Sequence, residues 1–383
     1  MASSSTPSLA DHVGSLQGPP FRADHVGSLL RPPELLDARD AFALGRISAA
    51  ELREAEDKAI IGAVRKQEEV GLKSITDGEF RRTFFHLDFL KHFANVRAIN
   101  AEMKARFQTD DGDANLQPPA LLIEGKISRP EPIFVEDFKF LASVTKETPK
   151  LTLPSPSMMH FRGGRKAIDQ SVYPDMEEFY ADLAAAYADE LRDLGAAGCT
   201  YIQLDEVNLA YLCDPNLAAH VRNVGEDPAS LPQTYAKLIN DSIASKPDDM
   251  TICMHLCRGN FKSAWVAEGG YDPVAELLFN GIDVDGYFLE YDSERAGTFE
   301  PLRFVPKGKV VVLGLITSKV GELEDKDAIK RRIEEATKYV PIEQLALSPQ
   351  CGFSSTVEGN ILDVEAQYAK LRLIVELAEE IWG

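Results

Sequence analysis

A histidine and a cysteine two residues apart, His255 and Cys257, lie in the run Met254-His255-Leu256-Cys257-Arg258-Gly259-Asn260, just after the apolar stretch Met250-Thr251-Ile252-Cys253. Along an extended strand, residues i and i+2 face the same side. That spacing aims an imidazole and a thiol at one point. Two more donors close later apolar runs: Glu290 in Tyr287-Phe288-Leu289-Glu290-Tyr291, and Cys351 in Leu347-Ser348-Pro349-Gln350-Cys351-Gly352. One nitrogen, two sulfurs and a carboxylate oxygen suit tetrahedral Zn²⁺. A His-x-Cys pair alone is weak evidence, because buried cysteine commonly behaves as a small hydrophobe. The reading gains weight only if the fold brings all four donors together.

The elements that must position them alternate. β-rich runs fall at about 21–27, 72–77, 150–155, 200–206, 250–256, 286–291, 309–316 and 344–350, eight in all. Helical patterns lie between them, over 33–70, 176–197, 231–245, 273–280, 326–339 and 360–382. Several strands are apolar on both faces, as parallel strands covered by helices should be. The pattern predicts an α/β fold, a (β/α)₈ TIM barrel. A doubly wound sheet is the alternative, but no Gly-x-Gly-x-x-Gly follows the first strand.

The interval between the second and third strands carries an insertion. Runs 120–127 and 133–138 read as a hairpin around Ser128-Arg129-Pro130-Glu131-Pro132, placed over one mouth of the barrel. Asp110-Asp111-Gly112-Asp113 reads as a solvated turn, since the glutamate that closes a calcium loop is not at the right spacing.

Barrel active sites are built at the C-terminal ends of the strands. His255 and Cys257 close strand five, Glu290 strand six and Cys351 strand eight, so all four would meet on one rim. Ser28 after strand one, Asp77 and Glu79 after strand two, and Asp205-Glu206 at the end of strand four share that level. Any one of these carboxylates could simply cap a helix or pair with Arg81 or Arg82. Several together suggest a pocket for a cationic group such as an amino-acid ammonium.

A net charge of −20 over 383 residues and a pI near 4.8 argue against nucleic acid and anionic membrane as partners. The substrate should be small, or held by local positive groups such as Arg31, Arg81, Arg82 and Arg258. The cysteines, Cys199, Cys213, Cys253, Cys257 and Cys351, are odd in number and scattered, which fits a reduced, cytoplasmic protein better than a disulfide framework. Cys253 reads as core, and Cys199 and Cys213 as packing residues. No apolar run approaches a membrane span. Residues 1–19 read as a disordered tail ahead of a single catalytic barrel over 20–383. The tail contains Ala10-Asp11-His12-Val13-Gly14-Ser15-Leu16, which recurs as Ala23-Asp24-His25-Val26-Gly27-Ser28-Leu29. Only the second copy runs on into a helical pattern, and it is taken as the structural one.

Five ordered blocks carry a family resemblance: His-Val-Gly-Ser-Leu-Leu-Arg-Pro (25–32), Ile-Thr-Asp-Gly-Glu-Phe-Arg-Arg (75–82), Tyr-Ile-Gln-Leu-Asp-Glu (201–206), Met-His-Leu-Cys-Arg-Gly-Asn (254–260) and Leu-Ser-Pro-Gln-Cys-Gly-Phe (347–353). From Phe21 to Gly383 the chain resembles the cobalamin-independent methionine synthases, in their short single-barrel branch. The resemblance implies a (β/α)₈ methyltransferase of the methyltetrahydropteroyltriglutamate–homocysteine type. It implies zinc held by His255, Cys257, Glu290 and Cys351, with the homocysteine amino-acid end on Ser28, Glu79 and Asp205. A zinc-bound thiolate then attacks the methyl group. The full-length enzymes stack their pterin on a tryptophan after the third strand. Here the loop Pro154-Ser155-Pro156-Ser157-Met158-Met159-His160-Phe161-Arg162-Gly163 has none. His160 or Phe161 could stack instead, and the donor, folate, corrinoid or another methylated compound, stays open.

Three alternatives remain. A thiol alkyltransferase of the epoxyalkane–coenzyme M type would keep the barrel and the zinc, although Glu79 and Asp205 would oppose its sulfonate. A metal-free decarboxylase resembling the uroporphyrinogen enzymes would leave four converging ligands without purpose. A non-catalytic zinc-binding barrel would use all four ligands to close the site.

Overall fold

The computed structural model describes residues 18–100, 105–107, 114–116 and 119–383. The first Ala-Asp-His-Val-Gly-Ser-Leu copy and the Asp110–Asp113 turn lie outside the described residues. Six strands form one parallel ladder: Leu151–Pro154, Tyr201–Glu206, Thr251–Leu256, Gly286–Glu290, Val310–Ile316 and Leu345–Pro349. They occupy places three to eight of a barrel. Thr148–Pro149 extends the third place and pairs in parallel with Ser74–Ile75, the second. The first place is held by the segment around Ala23, which bridges Leu347 in parallel, with Asp24 N donating to Leu347 O at 3.0 Å.

Side chains close the gap between the first two places. Ser74 Oγ donates to Asp24 at 2.7 Å, His25 Nε2 meets Ser74 O at 3.1 Å, and Thr76 Oγ1 donates to Gly27 O at 2.6 Å. Asp24 also accepts from Tyr201 OH and Lys150 Nζ, making a buried polar plug at the N-terminal end of the barrel. The second copy of the repeated motif is thus half plug and half site, since Ser28 follows at the other end.

Burial of His25 costs it its charge. Desolvation first, then Lys150, push its pKa down to about 4. A base depressed in the folded state contributes stability above its unfolded pKa, near 6.5, and that contribution is lost as pH falls toward 4. We predict a loss of about 3 kcal/mol across this window, at roughly 1.4 kcal/mol per pH unit. Denaturant titrations of wild type and His25→Gln should show it as a pH-dependent difference that the variant lacks.

Period-two alternation separates two cores. Outward residues such as Ile202, Leu204, Ile252, Met254, Val311 and Leu313 join the large cluster against the helices, whereas Val26, Tyr201, Cys253, Phe288, Val312 and Ala346 form a separate cluster inside the barrel. Two residues further along the same strands come Gln203, His255, Glu290, Gly314 and Ser348, and then Asp205 and Cys257. The inner face changes from apolar to polar within one repeat, and that is where the site begins.

Two local expectations are corrected. Residues 33–70 form two helices, Pro33–Ala43 and Ala49–Glu69, because Ser48 caps the second with a box closed by Glu51. Residues 119–123 do not pair with 133–138: Pro119–Ile123 runs antiparallel to Val96–Asn100, and Val135–Val144 is a helix. Val135, Phe138 and Leu141 lie buried at helical spacing, which a six-residue window cannot tell from strand alternation. The insertion is tied to the loop after strand three by the Ile123–Ile168 bridge and by Ile127 N donating to Tyr173 OH at 2.7 Å.

Candidate active site

His255, Cys257, Glu290 and Cys351 are all buried, and one ligand atom from each lies within 4.8 Å of the other three. The two sulfurs are 3.4 Å apart. His255 Nδ1 faces Phe288 O at 3.2 Å, which fixes its proton there and leaves the Nε2 lone pair toward the sulfurs. Nε2 itself is buried without a hydrogen bond. Glu290 Oε1 accepts from Arg258 N at 2.8 Å, whereas Oε2 has no hydrogen bond and only Arg295 Nη2 at 3.5 Å. Buried polar atoms are rarely left unpaired. Two orphaned lone pairs beside two thiols are the expected outline of a cation site.

The electrostatics agree. The hydrogen bond from Cys257, helped by His255, holds the Cys351 thiol well below its ordinary pKa, and the same bond with burial pushes Cys257 well above it. The two thiols are thus coupled through one hydrogen bond. Burial opposes charging His255, but Cys351, Asp205 and Glu290 together raise its pKa. Gly259, at φ +90°, turns the chain so that its N–H donates to Cys257 Sγ at 3.2 Å.

Three of the four, His255, Cys257 and Cys351, line a pocket whose empty space, open mouth included, is about 710 Å³. Glu290 joins the cluster without lining the pocket. Ser28, Glu79 and Asp205 line the same pocket. Ser28 accepts from Ser354 N at 3.3 Å, and a Cβ on Gly352 would stand 1.9 Å from its Oγ, so only glycine allows that approach. Glu79 sits in the left-handed region at φ 60°, strain of the kind stored at functional sites. Its Oε1 accepts from Thr152 Oγ1 at 2.8 Å, and Oε2 is buried and unpaired. Burial raises the Glu79 pKa, and burial followed by Glu79 pushes Asp205 up to about 7. Two desolvated carboxylates face one space, where a cation would relieve both.

Residues 21–380 match the family described as the catalytic domain of cobalamin-independent synthases. The chain belongs to that family. YxjH of Bacillus subtilis, named as an uncharacterized protein, is 46% identical over 378 residues, 98% of this chain and 95% of its own length. A methionine synthase of Pyrococcus abyssi is 27% identical over 332 residues, covering 86% of this chain and 83% of its own. A solved structure from Listeria monocytogenes, described as a candidate vitamin-B12-independent methionine synthase, superposes with a TM-score of 0.75. Its identity is 43%, covering 95% of this chain and 98% of that one. A B12-independent methionine synthase from Shewanella sp. W3-18-1, at 22% identity and TM-score 0.67 over 94% and 97% of the two chains, shares the fold.

Within this cobalamin-independent synthase barrel several sequence expectations change. None of the four arginines proposed to hold substrate lines the pocket. Arg31 is spent on the carbonyls of Glu79, Arg82, Ser354 and Thr356, and Arg81 on Glu56, Asp57 and Asp137. Arg82 bonds Thr152, and Arg258 bonds Tyr271 and the Gly269 carbonyl. They brace the loops that carry the site. His160 and Phe161 do not reach the pocket either: His160 bonds Tyr235 at 2.9 Å and Phe161 packs edge-on against Tyr211. Glu206 caps the helix Asn208–Tyr211 through the N–H groups of Asn208 and Leu209, so of the Asp205-Glu206 pair only Asp205 faces the pocket. Cys253 is inner core, and Cys199 and Cys213 are buried outside the cluster. Phe84, Phe85, His86, Arg162, Tyr211 and Phe261 line the pocket although nothing in their spacing announced it. The run Phe-Arg-Arg-Thr-Phe-Phe-His directly after the Gly-Glu turn was the one available signal.

Proposed function

We propose that this chain is a zinc-dependent homocysteine S-methyltransferase that forms methionine, a single catalytic barrel over 20–383 working in the cytoplasm. The observation that carries the reading is one pocket lined both by members of the nitrogen, sulfur and carboxylate donor cluster and by the buried carboxylates Glu79 and Asp205, of which Glu79 Oε2 has no hydrogen bond. Family membership supplies the reaction class, and the donor set is the one that suits zinc. Bound zinc supplies a Lewis acid that favours the thiolate form of a coordinated thiol.

The chain's own residues do the rest. Glu79 and Asp205 take the substrate ammonium, and Ser28 helps hold the amino-acid end, which places the sulfur at the donor cluster and converts a bimolecular encounter into a positioned one. Four protein ligands would ordinarily close a zinc site. Glu290 answers that objection, because it does not line the pocket and has Arg258 N and Arg295 already beside its carboxylate. It can yield to an incoming thiol without becoming an uncompensated buried charge. The coenzyme M alternative would set a sulfonate against Glu79 and Asp205, a like-charge contact in a desolvated pocket.

The test is metal content and thiol response. Protein purified under reducing conditions should carry about one zinc per chain, as such four-donor sites do. Cobalt-substituted protein should change its thiolate-to-metal absorption on adding homocysteine. Metal-free protein whose homocysteine binding is indifferent to zinc would sink the proposal.

A further inference from the structure

Most tyrosine hydroxyls buried in this fold have protein partners. Tyr187 OH donates to Pro154 O, Tyr201 OH to Asp24 and Tyr287 OH to Leu278 O, while Tyr235 OH lies 2.9 Å from His160 Nδ1. Tyr211 departs from this rule inside the pocket. It lines the pocket at 6% exposure, and among the described residues its hydroxyl makes no hydrogen bond to protein. Tyr291 OH also lacks one, but Tyr291 lies outside the pocket. Buried polar groups are nearly always bonded. A free hydroxyl on the wall of a ligand pocket therefore points to a polar atom on the ligand.

The chain places this hydroxyl beside the sulfurs. Tyr211 ends the short helix Asn208–Tyr211, which follows strand four. Glu206 anchors the helix by accepting from Asn208 N and Leu209 N, and Tyr211 N donates to Val207 O at 2.9 Å. The residue before Glu206 is Asp205, so one strand end supplies both a carboxylate of the pocket and the helix that carries the phenol. The hydroxyl comes to rest against the turn after strand five. A Cβ placed on Gly259 would stand 3.0 Å from Tyr211 OH and 2.8 Å from Val266 Cγ2, so only glycine leaves room there. Gly259 N in turn donates to Cys257 Sγ at 3.2 Å. The phenol oxygen is thus a neighbour of the peptide that holds one of the two sulfurs. The ring packs edge-on against Phe161, 6.1 Å between centroids. Burial first, then Cys257, push the Tyr211 pKa up, so the hydroxyl keeps its proton and serves as a donor.

We propose that Tyr211 binds the sulfur of the substrate, donating its hydroxyl hydrogen to the thiolate and thereby favouring the thiol substrate over the thioether product. The proposal rests on the homocysteine methyltransferase reading, in which Glu79 and Asp205 hold the ammonium and the sulfur arrives at the donor cluster. A thiolate is charged and accepts strongly, whereas a thioether sulfur is a weak acceptor. A hydrogen bond to the charged form favours that form. It also fixes how the sulfur is turned when it meets a methyl group. Once the sulfur carries the methyl group its charge is gone, and the bond to Tyr211 weakens while the ammonium is still held. Release of the product therefore begins at the sulfur end. Tyr211 keeps its proton throughout, and the proton lost by the thiol does not pass through it.

The zinc-loaded full chain is compared with Tyr211→Phe, which removes the hydroxyl and keeps the ring. Calorimetry should show homocysteine bound roughly tenfold more weakly by the variant, the scale of a lost hydrogen bond to a charged group. Methionine, which shares the amino-acid end and lacks the thiolate, should bind both proteins within about twofold of each other. In cobalt-substituted protein the absorption band induced by homocysteine should move to longer wavelength in the variant, because a sulfur relieved of a hydrogen bond gives up electron density more readily. Equal losses for homocysteine and methionine would mean that the hydroxyl only shapes the pocket, and would overturn the proposal. Unchanged homocysteine affinity, or a weaker affinity with an unmoved band, would overturn it as well. Wild-type protein whose homocysteine binding does not depend on zinc would instead condemn the methyltransferase reading and take this proposal with it.

Discussion

Replacing Cys351 with serine will cost the protein its metal and its methyl transfer together. The serine hydroxyl does not ionise near neutral pH, so the substitution removes one of the two sulfur donors of the cluster and leaves Cys257 without the partner 3.4 Å away. Losing an outer-shell partner typically costs 10–100-fold in metal affinity, so losing a ligand should cost on the order of 100-fold or more. Activity should fall to background. The fold should survive, because Cys351 lies in a loop beyond strand eight, Leu345–Pro349, while the inner and outer cores lie along the strands. Cys253→Ser is the contrasting control. Its sulfur sits in the inner apolar cluster, so it should lower the thermal midpoint and leave the metal in place. Metal retained in Cys351→Ser but lost in Cys253→Ser would put the site elsewhere.

Asp205→Asn should make the unliganded protein more stable and its substrate binding much worse. Burial and the neighbouring Glu79 push Asp205 up to about 7, so the folded state holds that proton far more tightly than an unfolded chain does. An acid raised in the folded state contributes stability below its unfolded pKa, near 3.9, and loses it as pH rises toward 7. The asparagine variant escapes that loss. Its advantage in thermal midpoint should therefore be absent near pH 4 and largest above pH 7. Binding moves the other way, because truncating one partner of a buried charge pair typically costs 2–5 kcal/mol. Methionine, which has no ionisable sulfur, is the right probe, and calorimetry at pH 8 should show its affinity reduced by roughly 30-fold or more. Unchanged methionine affinity would mean that the ammonium is held elsewhere. A gain in stability paired with a loss in function is the usual mark of a site whose strain serves binding.

Much of the architecture was legible from pattern alone. Alternating β-rich and helical runs specify a closed parallel barrel because apolar strands must be covered on their outer face and filled on their inner one. The position of His255, Cys257, Glu290 and Cys351 at strand ends followed from the same alternation. The insertion was less legible. A window of six residues at 133–138 satisfies strand and helix spacing alike, and only the docking of Phe138 and Leu141 into the core decides between them.

Charge was the feature that sequence position left most open. Arg31, Arg81, Arg82 and Arg258 stand beside site motifs in the chain, yet each is consumed by carbonyls, carboxylates or a phenol in the fold. Arg162 stands in a loop with no motif of its own and reaches the pocket. Loop side chains several ångströms long can satisfy many partners, and which one wins depends on contacts between segments far apart in the chain. The pairing of Arg162 with His86 spans 76 residues.

By itself, the amino-acid sequence determined the barrel, the donor set at its C-terminal rim and the carboxylates beside it, because strand periodicity converts spacing directly into facing. Only the tertiary structure decided that Asp205 faces the pocket while Glu206 caps a helix, that Glu290 joins the donor cluster without lining the pocket, and that Arg162 and His86 line it. Those outcomes depend on strand stagger and loop packing, which bring together groups whose separation in the chain carries no period to read.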